Sequence, residues 1–448
     1  MEISTSDTDT TKQARTGFPS FREALRFWLK LGLISFGGPA GQISIMHREL
    51  VETKRWISEE HFLNALNFTM LLPGPEAQQL ATYLGWRIHG AKGGIAAGAL
   101  FVIPSMFVLF ALSWIYIVGG DIPWLAAIFY GLLAAVIAVV AQATLRIGSK
   151  ALKSVTLWGI AELSFVAIYF FGISFVLIIL AVGFAGYFGH RFFPRQFPAG
   201  KGPHSSENED LPESIELPTC PAPGWKRTAA VVAVCSILWW GPILALAGWL
   251  GWESTPAQQG LFFSKAALVT VGGAYAVLPY VAQQAVESQQ WLTHSQMMTG
   301  LALAETTPGP LIMVLQFVGF VGGWQNPGNF TPLGGATIGA LITTWATFLP
   351  CFLFIFLGGP YIEKIGNFPT LSAALTAITA AVVGVILNLG VKFGLHAIWP
   401  DQLNIDWFII GLTVLAFFAL QRFKAGLIPV IIGCGIAGLL YRAIFSGL

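Results

Sequence analysis

Charged residues are scarce in this sequence. Of its 448 residues, only 10% are Asp, Glu, Lys or Arg, whereas 55% are hydrophobic. Soluble domains carry about 25% charged residues, so this composition excludes a soluble globular protein. The net charge of +2 is also too small to indicate a nucleic-acid partner. The chain is therefore expected to lie in a lipid bilayer.

Cysteines and catalytic motifs are few as well. The four cysteines, Cys220, Cys235, Cys351 and Cys434, lack the paired spacing of a metal site and any secreted context, so we interpret them as small core residues. The sequence has no H-E-x-x-H motif, Walker A loop or G-x-S-x-G motif, and no strand-turn-helix signature of a nucleotide cofactor. These absences argue against an enzyme and an ATP-driven pump, and they predict no metal or cofactor. A structural or sensor role stays open.

Long apolar runs fill most of the chain. Residues 93–120 and 124–145 contain no charged residue, and each run can cross about 30 Å of hydrocarbon. Because a backbone in lipid must satisfy its own hydrogen bonds, and because the runs lack the alternation of barrel strands, we predict an all-α polytopic membrane protein. Further runs lie at residues 154–171, 173–189, 228–250, 336–358, 371–390, 405–421 and 425–446.

An internal repeat divides the chain into two halves. Three blocks recur at a constant offset of 235 residues: Gly37-Gly38 as Gly272-Gly273, Trp56-Ile57-Ser58 as Trp291-Leu292-Thr293, and Pro73-Gly74-Pro75 as Pro308-Gly309-Pro310. After an insertion near residues 325–332 the offset becomes 246, which matches Pro104 with Pro350.

These matches predict five regions along the chain. They are a disordered cytoplasmic tail (1–20), a first repeat (21–190), a cytoplasmic linker rich in proline and acidic residues (191–227), a connecting transmembrane helix (228–250) and a second repeat (251–448).

Positive charge differs between the matched loops. Arg48, Lys54 and Arg55 of the first half correspond to Gln283, Gln289 and Gln290 of the second. Cytoplasmic loops carry an excess of Lys and Arg, so the first loop is predicted to face the cytoplasm and its match to face outward across the inner membrane. The halves are then inverted-topology repeats.

Glycine and proline interrupt two apolar segments in each half. In the first half the interruptions are Gly37-Gly38-Pro39, inside residues 28–46, and Pro73-Gly74-Pro75, inside residues 62–86. The loops at residues 48–55 and 87–92 are both basic, so the segment between them should enter and leave on one side. We predict re-entrant hairpins of half-helices, followed by four full crossings in each half. Kinked full spans are the alternative.

The interruptions are the predicted substrate site. A half-helix that begins inside the membrane presents unpaired N–H groups and the positive end of its dipole, and both suit an anion. Ser and Thr hydroxyls beside the breaks can donate to an oxyanion. The predicted substrate-binding residues at the breaks are Ser35, Gly37, Gly38, Pro39, Pro73, Gly74, Pro75, Thr270, Gly272, Gly273, Thr306, Thr307, Pro308, Gly309 and Pro310.

Four charged residues near the breaks are further candidates. Lys30 and Lys265 match at the 235 offset and are predicted to attract the anion, although a lysine that extends to the membrane interface is the alternative. A carboxylate repels an anion unless it is protonated, so Glu76 and Glu305 are predicted to couple transport to protons. For these two residues the alternative is an interfacial residue or a partner of a helix N-terminus.

Several ordered blocks resemble the chromate ion transporter family. They cover the chain from about residue 21 to its C-terminus, as in the long, two-domain members. The resemblance implies efflux of chromate across the inner membrane, driven by a proton or ion gradient; import or channelling of sulfate, another tetrahedral dianion, is the alternative. The expected partners of the protein are the anion and the lipid bilayer, and the formation of a homodimer is left open. The blocks are Phe36-Gly37-Gly38-Pro39-Ala40-Gly41-Gln42, Lys54-Arg55-Trp56-Ile57-Ser58, Leu71-Leu72-Pro73-Gly74-Pro75-Glu76-Ala77, Val271-Gly272-Gly273 and Thr306-Thr307-Pro308-Gly309-Pro310.

Overall fold

A computed structural model describes residues 19–36, 38–120, 122–192, 224–362, 369–399 and 404–445. Most of the predicted tail (1–18), Gly37 and most of the predicted linker (193–223, including Cys220) lie outside the described residues. Within the described ranges the chain forms sixteen α-helices and no β-strand. The predicted fold class, an all-α polytopic membrane protein, is confirmed.

The helices follow the predicted apolar runs. The first half contains α1 (Phe21–Ile34), α2 (Gly38–His47), α3 (Glu59–Leu71), α4 (Glu76–Gly119), α5 (Pro123–Ala151), α6 (Val155–Tyr169) and α7 (Phe175–Phe192). Helix α8 (Trp225–Leu250) covers the run predicted to connect the halves. The second half contains α9 (Thr255–Val269), α10 (Ala274–Ala282), α11 (His294–Thr306), α12 (Val314–Gln325), α13 (Pro332–Gly358), α14 (Pro369–Ile398), α15 (Trp407–Gln421) and α16 (Leu427–Phe445).

Seven helices in the described residues are long and apolar enough to cross a membrane: α4, α5, α7, α8, α13, α14 and α16. Helices α6 and α15 are apolar but have only 15 residues each, which is about 22 Å at 1.5 Å per residue. The chain is a multi-pass membrane protein.

Helix α4 contains a sharp break where the sequence predicts a loop. Gly90 has φ 62° and ψ −158°, and together with His89 it separates a first segment from a long apolar second segment. The two segments approach closely, since a β-carbon on Gly85 would lie 2.6 Å from the carbonyl oxygen of Gly93. Helices α12 and α13 make the same contact, with 2.5 Å between a β-carbon on Gly319 and the carbonyl oxygen of Gly339.

Helix boundaries agree between the halves at the offsets of the sequence matches. Helices α3 and α11 begin and end 235 residues apart, and so do two π-helical segments, Arg48–Thr53 and Gln283–Ser288. Arg55 and Gln290, also 235 apart, have unusual positive φ values of 51° and 52°. The opposite orientation of the halves stays a prediction.

The two halves pack into one another. Helix α5 of the first half packs against α14, α15 and α16, while α14 of the second half packs against α5, α6 and α7. Small residues permit the closest approaches, as is common between membrane helices. On α16, a β-carbon on Gly438 would lie 2.5 Å from the carbonyl oxygen of Ala127 in α5. On α7, one on Gly186 would lie 2.7 Å from the β-carbon of Ala377 in α14.

The repeated Trp-x-Ser/Thr block predicts helix N-caps at Ser58 and Thr293, and the structure confirms both, at the starts of α3 and α11. The side chains of Ser58 and Thr293 accept hydrogen bonds from the backbone N–H groups of His61 and Gln296. The tryptophans two residues earlier, Trp56 and Trp291, are expected at the membrane interface but are only 6% and 2% exposed. They fill the protein core because phenylalanines of α1 and α9 pack against them.

Candidate functional site

The helices are interrupted at all four predicted positions. Helix α1 ends before Gly38, and α3 ends before the break at residues 72–75. In the second half α9 ends before Gly272, and α11 ends at Thr306 before the break at residues 307–310. The described glycines at these breaks all have positive φ, between 70° and 118°, a conformation that residues with a β-carbon rarely adopt. They are Gly38, Gly74, Gly272, Gly273 and Gly309.

Two backbone hydrogen bonds join the interruptions of one half to those of the other. The amide of Gly74 donates to the carbonyl oxygen of Thr270 at 2.7 Å, and the amide of Gly309 donates to that of Ser35 at 2.8 Å. Both donors and both acceptors are related by the 235 offset. Each Pro-Gly-Pro break therefore contacts the residue two positions before the glycine pair of the other half.

These bonds correct one expectation from the sequence. The amides at the interruptions were expected to be unpaired and available to an anion, and for Gly74 and Gly309 that expectation is wrong. The breaks meet one another inside the protein, so a buried amide finds a carbonyl of the opposite half rather than a ligand.

A glutamine and a serine surround Gly309. The Gln42 Nε2 atom donates to the carbonyl oxygen of Gly309 at 2.5 Å. The hydroxyl oxygen of Ser105, in α4, lies 3.1 Å from the position of a β-carbon on Gly309. Sequence reasoning did not identify either residue, although Ser105 directly follows Pro104, which is matched with Pro350.

The equivalent surroundings of Gly74 differ in chemistry. Cys351 of α13 takes the place of Ser105 at the 246 offset, and its sulfur lies 2.9 Å from the position of a β-carbon on Gly74. The Gln79 Nε2 atom donates to the carbonyl oxygen of Pro73 at 2.6 Å. The two Pro-Gly-Pro breaks thus share a backbone arrangement but not the same side chains.

Three of the four predicted hydroxyls already donate to their own helices. Thr270 donates to the carbonyl oxygen of Ala266, and Thr306 and Thr307 donate to carbonyl oxygens three residues earlier. The hydroxyl of Ser35 is different, because it is fully buried and has no hydrogen-bond partner among the described residues.

The two predicted carboxylates lie near the glycine pair of the second half. Glu305 is 6% exposed and accepts a hydrogen bond from the hydroxyl of Tyr275. Glu76 is the first residue of α4, and its Oε1 atom lies 3.6 Å from the position of a β-carbon on Gly273. A carboxylate at a helix N-terminus is stabilised by the helix dipole, so the alternative role of Glu76 as a helix N-terminal partner fits this position.

The matched lysines point away from the interruptions. The Lys30 side chain is 60% exposed, and its Nζ atom lies 3.5 Å from a carboxylate oxygen of Glu49. Lys265 is exposed on the surface of α9. Their role in attracting an anion stays a prediction.

Comparison with known proteins places the chain in a family. The model of the family described as "Chromate transporter" matches residues 22–187 and 257–439, most of both halves. The chain belongs to the chromate transporter family. Both matched regions contain the helix interruptions described above.

Relatives match this chain over most of their own length, and two of them carry the family name. A chromate transport protein of Cupriavidus metallidurans is 29% identical over 94% of this chain and 93% of its own length. One from Pseudomonas aeruginosa is 32% identical over 96% of this chain and 95% of its own length. An uncharacterised transporter of Methanocaldococcus jannaschii is 24% identical over 90% and 92%. No solved structure matches the chain.

Proposed function

We propose that this protein is a secondary transporter that moves chromate out of the cell across the inner membrane, coupled to a proton or ion gradient. Membership of the chromate transporter family supports the substrate. Two full-length relatives named chromate transport proteins, aligned over 94% and 96% of this chain, support it further.

The reciprocal hydrogen bonds between the interruptions carry the transport assignment. In transporters built from two repeats, substrates bind at broken helices where the repeats meet. The Gly74–Thr270 and Gly309–Ser35 bonds put broken helices of both halves in direct contact. A relative movement of the two halves would therefore break or rearrange these two hydrogen bonds.

Proton coupling is proposed for the two carboxylates. Glu305 is buried and bonded to Tyr275, whereas Glu76 lies beside Gly273. A proton that binds to a buried carboxylate changes both its charge and its hydrogen bonds, so it can bias the packing of the adjacent glycine pair. Lys30 and Lys265 are proposed to attract the anion from the surface.

The orientation of the halves is part of the same proposal. Positive charge at Arg48, Lys54 and Arg55 supports a cytoplasmic position for the first loop. The uncharged matches, Gln289 and Gln290, support an outward position for the second. With this arrangement an anion site at the contact between the halves can open to each side in turn.

Sulfate is the second candidate substrate. The side chains around Gly309 are hydroxyls and an amide, without a charged group among Ser35, Gln42 and Ser105. Such groups discriminate poorly between tetrahedral dianions of similar shape, so transport of sulfate needs a direct test.

The test is flux through the purified protein in liposomes. Vesicles loaded with labelled chromate or labelled sulfate are placed in buffers that impose a pH gradient of either sign or none. We expect chromate to leave faster than from protein-free liposomes, and faster still when the outside is acidic, because protons then move inward. Chromate flux equal to that of empty liposomes would contradict the proposal. Preferred sulfate flux would favour the second candidate, and flux indifferent to every imposed gradient would favour a channel.

A further inference from the structure

Three buried side-chain oxygens without hydrogen-bond partners among the described residues belong to residues that contact Gly309. They are Ser35 Oγ, Gln42 Oε1 and Ser105 Oγ, and all three residues are 0% exposed. Ser35 reaches Gly309 through its carbonyl oxygen, Gln42 through its Nε2 atom, and Ser105 through van der Waals contact. Buried polar atoms are normally paired in native proteins, so the two unpaired hydroxyls, which can donate, indicate a place where a ligand completes the bonding. The unpaired Gln42 Oε1 atom only accepts hydrogen bonds and does not contact an anion.

The chemistry of the cluster suits an oxyanion. The hydroxyls of Ser35 and Ser105 can each donate one hydrogen bond. Gln42 Nε2 carries two N–H groups; one is used by the carbonyl oxygen of Gly309 at 2.5 Å, and the second contact, to the carbonyl oxygen of Ser35, is long at 3.4 Å. Neutral donors also bind an anion weakly enough to release it, which transport requires.

The equivalent positions in the other half lack these donors. Ser35 corresponds to Thr270, whose hydroxyl is bonded to the carbonyl oxygen of Ala266 at 2.6 Å. Gln42 corresponds to Val277, and Ser105 corresponds to Cys351, whose thiol is a weak donor directed at the carbonyl oxygen of Thr347.

Gln79 does not restore the missing donors beside Gly74. Its unpaired atom there is the amide oxygen Oε1. An amide oxygen only accepts hydrogen bonds, so it cannot bind an anion, and the same holds for Gln42 Oε1 beside Gly309. The two breaks therefore differ in their unpaired hydroxyls, since each also has a glutamine whose Nε2 atom donates to a carbonyl oxygen of the break.

We infer that substrate binding is asymmetric between the two Pro-Gly-Pro breaks. At Gly309, the hydroxyls of Ser35 and Ser105 donate to the oxygens of the transported oxyanion, and Gln42 positions these residues. The matched break at Gly74 has only a structural role. The inference rests on the proposed function and assigns its specificity to one of two related breaks. Because all three side chains are closed to solvent, the anion reaches them after the halves separate at the Gly309–Ser35 bond.

Variants of the two serines test the inference in the liposome assay. For Ser35→Ala and for Ser105→Ala, the KM for chromate should rise about tenfold or more, because each removes one hydrogen bond to a charged ligand. The maximal rate should change less. Ser105→Thr keeps a hydroxyl and should therefore keep most of the affinity. Cys351→Ala is the matched control and should keep the wild-type KM.

The outcomes separate this inference from the proposed function. If the wild-type protein moves chromate but both serine variants keep its KM, the anion does not contact these hydroxyls and the inference fails while the function stands. A lower melting temperature of the serine variants with unchanged KM would assign the hydroxyls to an internal water and would also overturn it. An equal rise in KM for Cys351→Ala would refute the asymmetry. If the wild-type protein moves no oxyanion, the proposed function itself fails.

Discussion

The backbone conformation and close neighbours at the two Pro-Gly-Pro breaks explain why the central residue of each break is glycine. Gly74 has φ 118° and Gly309 has φ 96°. A β-carbon at Gly74 would lie 2.8 Å from Gln79 Nε2, and one at Gly309 would lie 2.7 Å from the β-carbon of Ser105. Alanine at either position therefore combines backbone strain with a collision inside the contact between the halves.

We predict that Gly74→Ala and Gly309→Ala abolish most transport while the protein still inserts into the membrane. The strain costs at least about 1 kcal/mol, and relief of the collision requires the interruptions to move apart. Chromate flux and membrane content are measured together. Gly172→Ala is the control, because Gly172 also has a positive φ of 61° but has no atom near its β-carbon position. Near wild-type flux from both site variants would remove the breaks from the site.

The buried carboxylate of Glu305 gives a second prediction at this scale. Glu305→Gln should flatten the dependence of chromate flux on pH, because a glutamine keeps the shape but cannot take up a proton. Tyr275→Phe removes the hydrogen bond and keeps the carboxylate, so flux should still depend on pH in that variant. An unaltered pH profile in Glu305→Gln would exclude this residue from proton coupling.

At the scale of the helices, close packing depends on glycines, which have no side chain. Helix α16 can approach α5 because Gly438 faces Gly131, where a β-carbon on Gly438 would lie 2.6 Å from the amide nitrogen of Gly131. Gly433, on the same helix, is exposed and has no atom within 4 Å of its β-carbon position. One helix therefore offers both a sensitive and an insensitive glycine.

We predict that Gly438→Val destabilises the protein by about 1–3 kcal/mol, because an over-packed contact forces the two helices apart. The loss should appear as a lower melting temperature in detergent. Gly433→Val adds the same side chain toward lipid and should leave the melting temperature near that of the wild type. Equal melting temperatures for the two variants would show that α5 and α16 do not pack as described.

Sequence patterns depend on neighbouring residues. They therefore predict individual helices and their breaks, but not the contacts between segments that are distant in the chain. Apolar runs and glycine or proline interruptions placed the helices and their breaks, and Ser58 and Thr293 marked two helix starts. The contacts of Gly74 with Thr270 and of Gly309 with Ser35 could not be predicted, since they join residues that are 196 and 274 positions apart in the chain. Ser105 was missed for the same reason: its neighbour is distant in sequence and its own surroundings are apolar.

For the whole molecule, the predicted inverted arrangement depends on which side of the membrane each matched loop faces. Lys54 and Gln289 lie just after the two π-helical segments and have equivalent positions in the fold. Matched positions in inverted halves must be reached from opposite compartments, whereas parallel halves would expose both to the same one.

We predict that Lys54→Cys is labelled from the cytoplasm and Gln289→Cys from outside. The background lacks the native Cys220, Cys235, Cys351 and Cys434, and a membrane-impermeant thiol reagent is applied to intact cells and to inside-out vesicles. Wild-type flux in the cysteine-free background is the control for correct folding. Labelling of both positions from one side would contradict the inverted arrangement.

The packing of α5, a helix of the first half, against helices of the second half has a consequence for biosynthesis. Helix α5 is inserted while α14, α15 and α16, which pack against it, are still untranslated, and α16 is the helix that faces Gly131. Until translation ends, the groove around Gly131 must therefore be filled by lipid chains or by a temporary companion in the membrane. The first half completes its packing only when the last helix leaves the ribosome, so a truncated C-terminus should make the earliest helices targets for quality control.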